Sequence, residues 1–193
     1  MRIITTIDQS DLESSRKASE LAENQGYDGI CTLENRHDPF LPLAAASIAT
    51  SNLELSTGVA IAFLRSPMSC AHISWDLNTA SQGRFVLGIG PQIKAHNEKR
   101  FSVPWSAPVP RMREYVNSLR TIWKCWKNRS PLDFRGKHYT FTLMPPNFVP
   151  ENNEFRLPPI TIAAVGQSML RLAGEVADGV RLHPFCTKKY IQN

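Results

Sequence analysis

Two stretches of this 193-residue sequence have the residue types and spacing for ligand chemistry, and both are built on glycine. In Arg84-Phe85-Val86-Leu87-Gly88-Ile89-Gly90 a short apolar run ends in two glycines one residue apart. Pro91 to Glu98 follow as a polar, partly basic loop. Backbone without Cβ atoms lets a flat or anionic group lie against the chain, which makes this a candidate cofactor floor. The same glycines would serve equally to seat a neighbouring side chain and to end a strand. In the second stretch, Gly166-Gln167-Ser168 joins an apolar run to a helix and leaves the helix's first N–H groups open to a phosphate or carboxylate. A plain tight turn is the competing reading. Neither stretch is a dinucleotide fingerprint: Gly88-Ile89-Gly90-Pro91-Gln92-Ile93 lacks the third glycine, and no acidic residue follows at the required distance.

The elements around these stretches alternate. Arg2 to Ile7 reads as a strand, and Ser10-Asp11-Leu12-Glu13 as a capping box led by Ser10. The helix that follows is expected to turn Leu12, Ala18, Leu21 and Ala22 inward and to stop at Gly26. Tyr27 to Leu33 is a second strand, Leu41 to Thr50 a helix, and Leu53 to Ala62 a third strand. Ser66 caps a helix with Pro67 in its first turn and Gly83 past its end. Strand starts near residues 2, 28, 53 and 84 lie 26, 25 and 31 apart. That pitch is the mark of right-handed βαβ units in a parallel sheet. The continuous apolar run at 85–89 fits a strand covered on both faces.

After a proline-rich stretch from Phe101 to Pro110, Arg111 to Lys127 reads as an amphipathic helix. Met112, Tyr115, Val116, Leu119, Ile122, Trp123 and Trp126 lie on one face. Its basic outer face is read as solvated rather than as a nucleic-acid surface. Residues 130–159 form an insertion: a hairpin over Asp133 to Phe141, then a loop with Pro145, Pro146, Pro150, Pro158 and Pro159. The pattern resumes with a strand at Ile160 to Val165, a helix at Met169 to Val176 and a sixth strand at Ala177 to Leu182. Ala177-Asp178-Gly179-Val180 echoes Tyr27-Asp28-Gly29-Ile30, and Thr187 looks like the cap of one more helix.

Composition is that of an ordinary globule: 42% hydrophobic, 20% charged, net charge +5. The bases are scattered, so an anionic small ligand fits them as well as nucleic acid does. No run has the length of a membrane span, and Met1 to Thr6 has no secretory pattern, so a cytoplasmic location is expected. Cys31, Cys70, Cys125 and Cys186 are dispersed and read as free thiols. With no paired metal-ligand spacing, no metal is expected.

Six strands fall short of a TIM-type (β/α)₈ barrel, which needs two more units and about 250 residues. The expectation is therefore a single domain over 1–193, an incomplete barrel forming the front portion of a longer product. Its first and last strands keep open edges, which a homodimer would cover.

At this point the sequence resembles the luciferase-like monooxygenase superfamily, in particular its coenzyme F420-dependent oxidoreductase branch. The residues that carry the likeness are Asn35-Arg36-His37-Asp38-Pro39-Phe40-Leu41-Pro42-Leu43, Gly83 to Gly90, and Val165 through Gly179. The resemblance implies a TIM barrel with the cofactor ring over the carboxyl ends of its strands, against an irregular third strand at Gly58, Val59 and Ala60. It implies that His37 faces the ring and handles a proton, and that the phosphate-bearing tail lies near Val165, Gly166, Gln167 and Ser168. The loop after the fourth strand, with Gly90, Gln92 and Asn97, would touch the ring or its side chain. Deazaflavin dehydrogenases often place a glutamate where this chain has Pro91 and Gln92, so no acid role carries over to that loop.

The expected function is hydride or two-electron transfer between F420 and a small organic substrate, in which the cofactor supplies the redox chemistry and the protein orients it. The alternatives are an FMN-dependent monooxygenase on the same scaffold and an inactive barrel fragment. His37 can exchange a proton near neutrality. A histidine hydrogen-bonded between Asp38 and a backbone carbonyl is its structural alternative. Neither nucleic acid nor membrane is an expected partner.

Overall fold

The computed structural model describes residues 1–152, 154–183 and 185–192; Asn153 of the insertion and the terminal Asn193 fall outside them. Strands β1 (Ile4–Thr6), β2 (Gly29–Thr32), β3 (Glu54–Thr57), β5 (Phe85–Gly90), β8 (Ile160–Ala163) and β9 (Gly179–Arg181) lie side by side in that order, every pairing parallel. A short strand β4 (Ala60–Ile61) continues β3 along β5. Helices α1 (Leu12–Asn24), α2 (Leu41–Ala49), α3 (Pro67–Ala80), α4 (Pro108–Asn128) and α5 (Gln167–Val176) connect them, and α6 (Lys188–Gln192) follows β9. The fold is a curled half-barrel whose closing strands are absent from these residues.

Each strand lies within the stretch the pattern placed it in; the one at Ile160 starts there, and the others start one or two residues later. The Asp-Gly echo has a physical basis. Asp28 donates its N–H to Ile3 O and accepts the Ile3 N–H on Oδ2, and Asp178 makes the same two bonds with Ile160. Each aspartate thereby fixes the first rung between its own strand and the preceding one.

The core lies between the sheet and the helices. All seven apolar residues expected on the inner face of α4 are fully buried, and the Trp123 indole donates to Ala71 O on α3. Ser66 caps α3 by accepting the Met68 N–H. Two details of α1 differ from expectation. Its cap is Asp11, whose carboxylate accepts the Ser14 N–H and hydroxyl, while the Ser10 N–H turns back to Asp8. Its inner face is Ser15, Ser19 and Ala22, with Leu12 and Leu21 more than half exposed. Small residues let α1 lie close on α2, and the serine hydroxyls are satisfied by preceding carbonyls: Ser15 donates to Asp8 O and Asp11 O, Ser19 to Ser15 O. Cys31, Cys70 and Cys125 are buried free thiols, and Cys186 is half-buried.

The insertion is a two-stranded antiparallel hairpin, β6 (Phe134–Arg135) and β7 (Thr140–Phe141), clamped to α4 by one carboxylate. Glu114 accepts the N–H groups of Lys137, His138 and Tyr139. Burial pushes its pKa up, but those three N–H groups outweigh it and hold the carboxyl below its ordinary value. A depressed carboxylate contributes stability above its unfolded pKa and loses it as pH falls through the folded one. Glu114→Gln is therefore expected to speed amide exchange at 137–139 near neutral pH while leaving β5 protected. The wild-type hairpin should loosen in the same way only at pH below the ordinary glutamate range. Equal exchange in variant and wild type would show that the clamp is idle.

Candidate functional site

The carboxyl ends of the strands open into a cleft of about 710 Å³, within the size range of a cofactor site. Its wall is apolar for the most part (Val59, Ile61, Ile93, Ala163, Met169 and Leu182 among others), with polar atoms from Glu34, Gln92, Arg181 and His183. Four features shape it.

The first is the break in the third strand. From Ser56 to Ala60 the chain advances four positions while β5 advances three, from Val86 to Ile89. The extra residue is a bulge, centred on a cis peptide between Gly58 and Val59. Across it the Thr57 hydroxyl replaces the missing rung, donating to Gly88 O at 2.6 Å and accepting the Gly88 N–H at 2.9 Å. The bulge aims Gly58 and Val59 into the cleft.

The second is Gly90. A Cβ there would stand 2.9 Å from Val59 Cγ2 and 3.3 Å from Ala163 Cβ, so its absence keeps the floor flat. Beyond it Gln92 adopts a left-handed backbone (φ 57°), uncommon for a non-glycine residue. Asn97 holds this loop from beneath. It is fully buried, and its amide donates to Pro91 O and Ile93 O at 3.0 Å.

The third is the turn at Gly166, the N-cap residue of α5. Nothing lies within 4 Å of where its Cβ would be. The Gly166 carbonyl takes the Met169 and Leu170 N–H groups, while those of Gln167 and Ser168 have no acceptor among the described residues. The fourth is an ionic strut. Arg65 donates to both oxygens of Glu34 at 2.8 Å and to Asp38 at 2.9 Å, and Glu34 also accepts the Ile61 N–H at 2.6 Å. Burial lowers the Arg65 pKa, but the Glu34 and Asp38 carboxylates raise it on balance. The strut ties the loop after β2 to β4.

The expected site residues thus separate into groups. Gly58, Val59, Gly90, Gln92, Val165 and Gly166 line the cleft together. Ala60 is buried behind the bulge, and Asn97 under its loop. Gln167 and Ser168 are exposed on the first turn of α5, outside the lining. His37 lines a separate, smaller depression, with Gln9, Asp11, Asp38 and Leu41.

Three ionisable lining residues were not anticipated. Glu34 stands immediately before the quoted Asn35-Arg36-His37 motif. Arg181 ends the last strand, and His183 follows two residues on; both line the cleft, as does Leu182 between them. A charge or histidine at a barrel strand's carboxyl end was the signal available for all three.

The residues present suit a flat ring: glycines at 58, 90 and 166 in the lining, an apolar wall, and N–H groups of Gln167 and Ser168 without an acceptor among the described residues beside it. Among the described residues no group of three or more His, Cys, Asp and Glu side chains is close enough to hold a metal ion. No described helix is long and apolar enough to cross a membrane.

Comparisons with known proteins agree with this geometry. The Mycobacterium tuberculosis protein Rv1360 is 48% identical over 180 residues, covering 93% of this chain and 53% of that protein. From the same organism, Rv3520c, named as a candidate coenzyme F420-dependent oxidoreductase, is 30% identical over 82% of this chain and 47% of its own length. The chain therefore spans about half the length of the curated relatives it matches. Among solved structures, monooxygenase RslO1 from Streptomyces bottropensis superposes with a TM-score of 0.83 at 21% identity, over 100% of this chain and 63% of that one. Coenzyme F420-dependent tetrahydromethanopterin reductase from Methanopyrus kandleri superposes with a TM-score of 0.73 at 20% identity, over 95% and 55%. At such identities these two show the shared fold. Residues 4–192 match the family described as luciferase-like monooxygenase, and the chain belongs to that family.

Proposed function

We propose that this chain forms the cofactor-bearing half of an oxidoreductase that moves a hydride between coenzyme F420 and a small organic substrate. The observation that carries the reading is the convergence of the Gly58–Val59 bulge, the Gly90 floor and the open Gly166 turn on one apolar cleft. The F420-based names of the relative Rv3520c and of the Methanopyrus reductase point the same way.

When bound, the deazaflavin ring supplies the hydride chemistry. Val59 and the Gly90 backbone would bear one face of it, and Met169 and Ala163 would keep water from its edge. The Gln167 and Ser168 N–H groups would meet the anionic tail. A proton handler must reach the reacting atoms. On that ground the task that the family resemblance assigns to His37 falls to His183, which lines the cleft, whereas His37 lines a separate depression.

Titrating the protein with F420 and, separately, with FMN tests the assignment. F420 fluorescence should be quenched saturably, with FMN binding at least about tenfold weaker, a difference of about 1.4 kcal/mol. The reverse order would make this a flavin-dependent member of the family. With a turnover assay in hand, His183→Asn should lower kcat with F420 affinity intact, and His37→Asn should lower it less. Equal rates in His183→Asn and wild type would remove His183 from the mechanism.

A further inference from the structure

We propose that Arg181 is an oxyanion seat: a fixed guanidinium in the cleft floor that receives a planar, negatively charged oxygen group of a bound ligand. The identity of that ligand rests on the oxidoreductase reading, whereas the seat itself rests on the geometry alone.

Arg181 is the last residue of β9, and its side chain runs under the bulge of the third strand. Nε donates to Thr161 Oγ1 at 3.0 Å, and Nη1 reaches Cys31 Sγ at 3.5 Å. Two missing Cβ atoms make its channel. One built on Gly88 would stand 2.9 Å from Nε, and one on Gly58 would stand 3.3 Å from Nη1. Residues of β2, β5, β8 and the bulge therefore fix the guanidinium from several sides. A freely rotating surface arginine is not held in this way.

Among the described residues nothing compensates the charge of Arg181. Both partners are neutral, and no described carboxylate comes within ion-pair distance of it. Glu34 is the one carboxylate among the described residues that line the cleft, and it is already committed to Arg65 and the Ile61 N–H. Of the five N–H donors of a guanidinium, Thr161 and Cys31 use two, which leaves three with no protein acceptor among the described residues, on a side chain that lines the cleft. Arg181 is not among the buried side chains left without a partner, so water can meet these donors in the cleft until an anion displaces it. A guanidinium fork is matched best by two coplanar acceptors.

Two ligands supply such a group. One is a carboxylate on the substrate. The other is the pyrimidine edge of a tricyclic ring, which gains negative charge on two-electron reduction. These share one chemistry at Arg181, and the experiment separates them.

Affinities of wild type, Arg181→Met and Arg181→Lys would be measured for four probes. These are oxidised and reduced F420 (FMN in its place if that is the cofactor bound), each under anaerobic conditions, and benzoate and its neutral analogue benzamide by calorimetry. Arg181→Met should weaken one anionic probe by about 10- to 100-fold, the range for a hydrogen bond to a charged group. Oxidised ring and benzamide should be nearly unaffected. Arg181→Lys should recover only part, because a point charge lacks the fork. Selective loss of reduced ring assigns the seat to the cofactor, and selective loss of benzoate assigns it to the substrate. Should Arg181→Met not fold, Thr161→Val, which removes only the acceptor of Nε, should show the same selectivity at smaller amplitude. Unchanged affinity for reduced ring and benzoate in these variants would overturn the seat, as would failure of wild type to bind either. If wild type binds neither F420 nor FMN but does bind benzoate through Arg181, the oxidoreductase reading fails and the seat stands.

Discussion

Glu34→Ala is expected to destabilise the protein by about 3–5 kcal/mol, the cost of leaving one member of a buried ion pair alone. The Glu34 side chain is 8% exposed and that of Arg65 17%, so water cannot take over for the missing carboxylate. The variant also strips the acceptor from the Ile61 N–H and frees β4 from the loop after β2. Asp38 would still hold one edge of the guanidinium, but its own side chain is 37% exposed. Urea denaturation followed through the buried tryptophans of α4 measures the change. The control is Glu34→Leu combined with Arg65→Met, which removes both charges and should cost less than Glu34→Ala does. If Glu34→Ala leaves the urea midpoint in place, the strut has no structural role. Against a total stability of about 5–15 kcal/mol for a domain, the predicted loss threatens folding at body temperature, so binding assays on Glu34 variants belong below it.

The strut also shows what a sequence conceals. Glu34 and Arg65 are 31 residues apart, and no local pattern pairs them; they meet because two parallel strands end at one level. Periodicity, by contrast, is local, and the alternation that repeats from Arg2 to Arg181 was readable as a parallel barrel segment for that reason. Where periodicity misled, at Leu12 and Leu21, the cause was a helix pair packed through serine and alanine instead of through leucine. The cleft floor was visible as glycines without side chains. What the glycines make room for was not, because Arg181 arrives from a strand more than ninety residues later. Likewise His37 carried the recognisable motif, yet the histidine that the fold places in the cleft is His183.

Gly88→Ala and Gly90→Ala are expected to separate the two duties of this strand. At Gly88 a methyl group would stand 1.9 Å from Thr57 O, a backbone atom, and 2.9 Å from Arg181 Nε. A backbone clash cannot be relieved by rotating a side chain. β5 must move away from the bulge, which breaks the paired Thr57 bonds that replace a rung there. The cost should reach about 3 kcal/mol, the upper end for an overpacked core site, and Arg181 should lose its fixed position along with the stability. At Gly90 the nearest neighbour is the end of the Val59 side chain, at 2.9 Å, with Ala163 Cβ at 3.3 Å. Val59 can turn aside, so Gly90→Ala should cost no more than about 1 kcal/mol while raising a methyl group from the floor on which a ring would rest. Urea midpoints and cofactor titrations run side by side on the two variants give the contrast. Gly88→Ala should lose stability first and binding as a consequence, whereas Gly90→Ala should lose binding with stability nearly intact. If Gly90→Ala binds F420 and FMN as wild type does, no ring lies on that floor. If instead Gly88→Ala is as stable as wild type, the packing of Arg181 beneath the bulge is looser than these distances require.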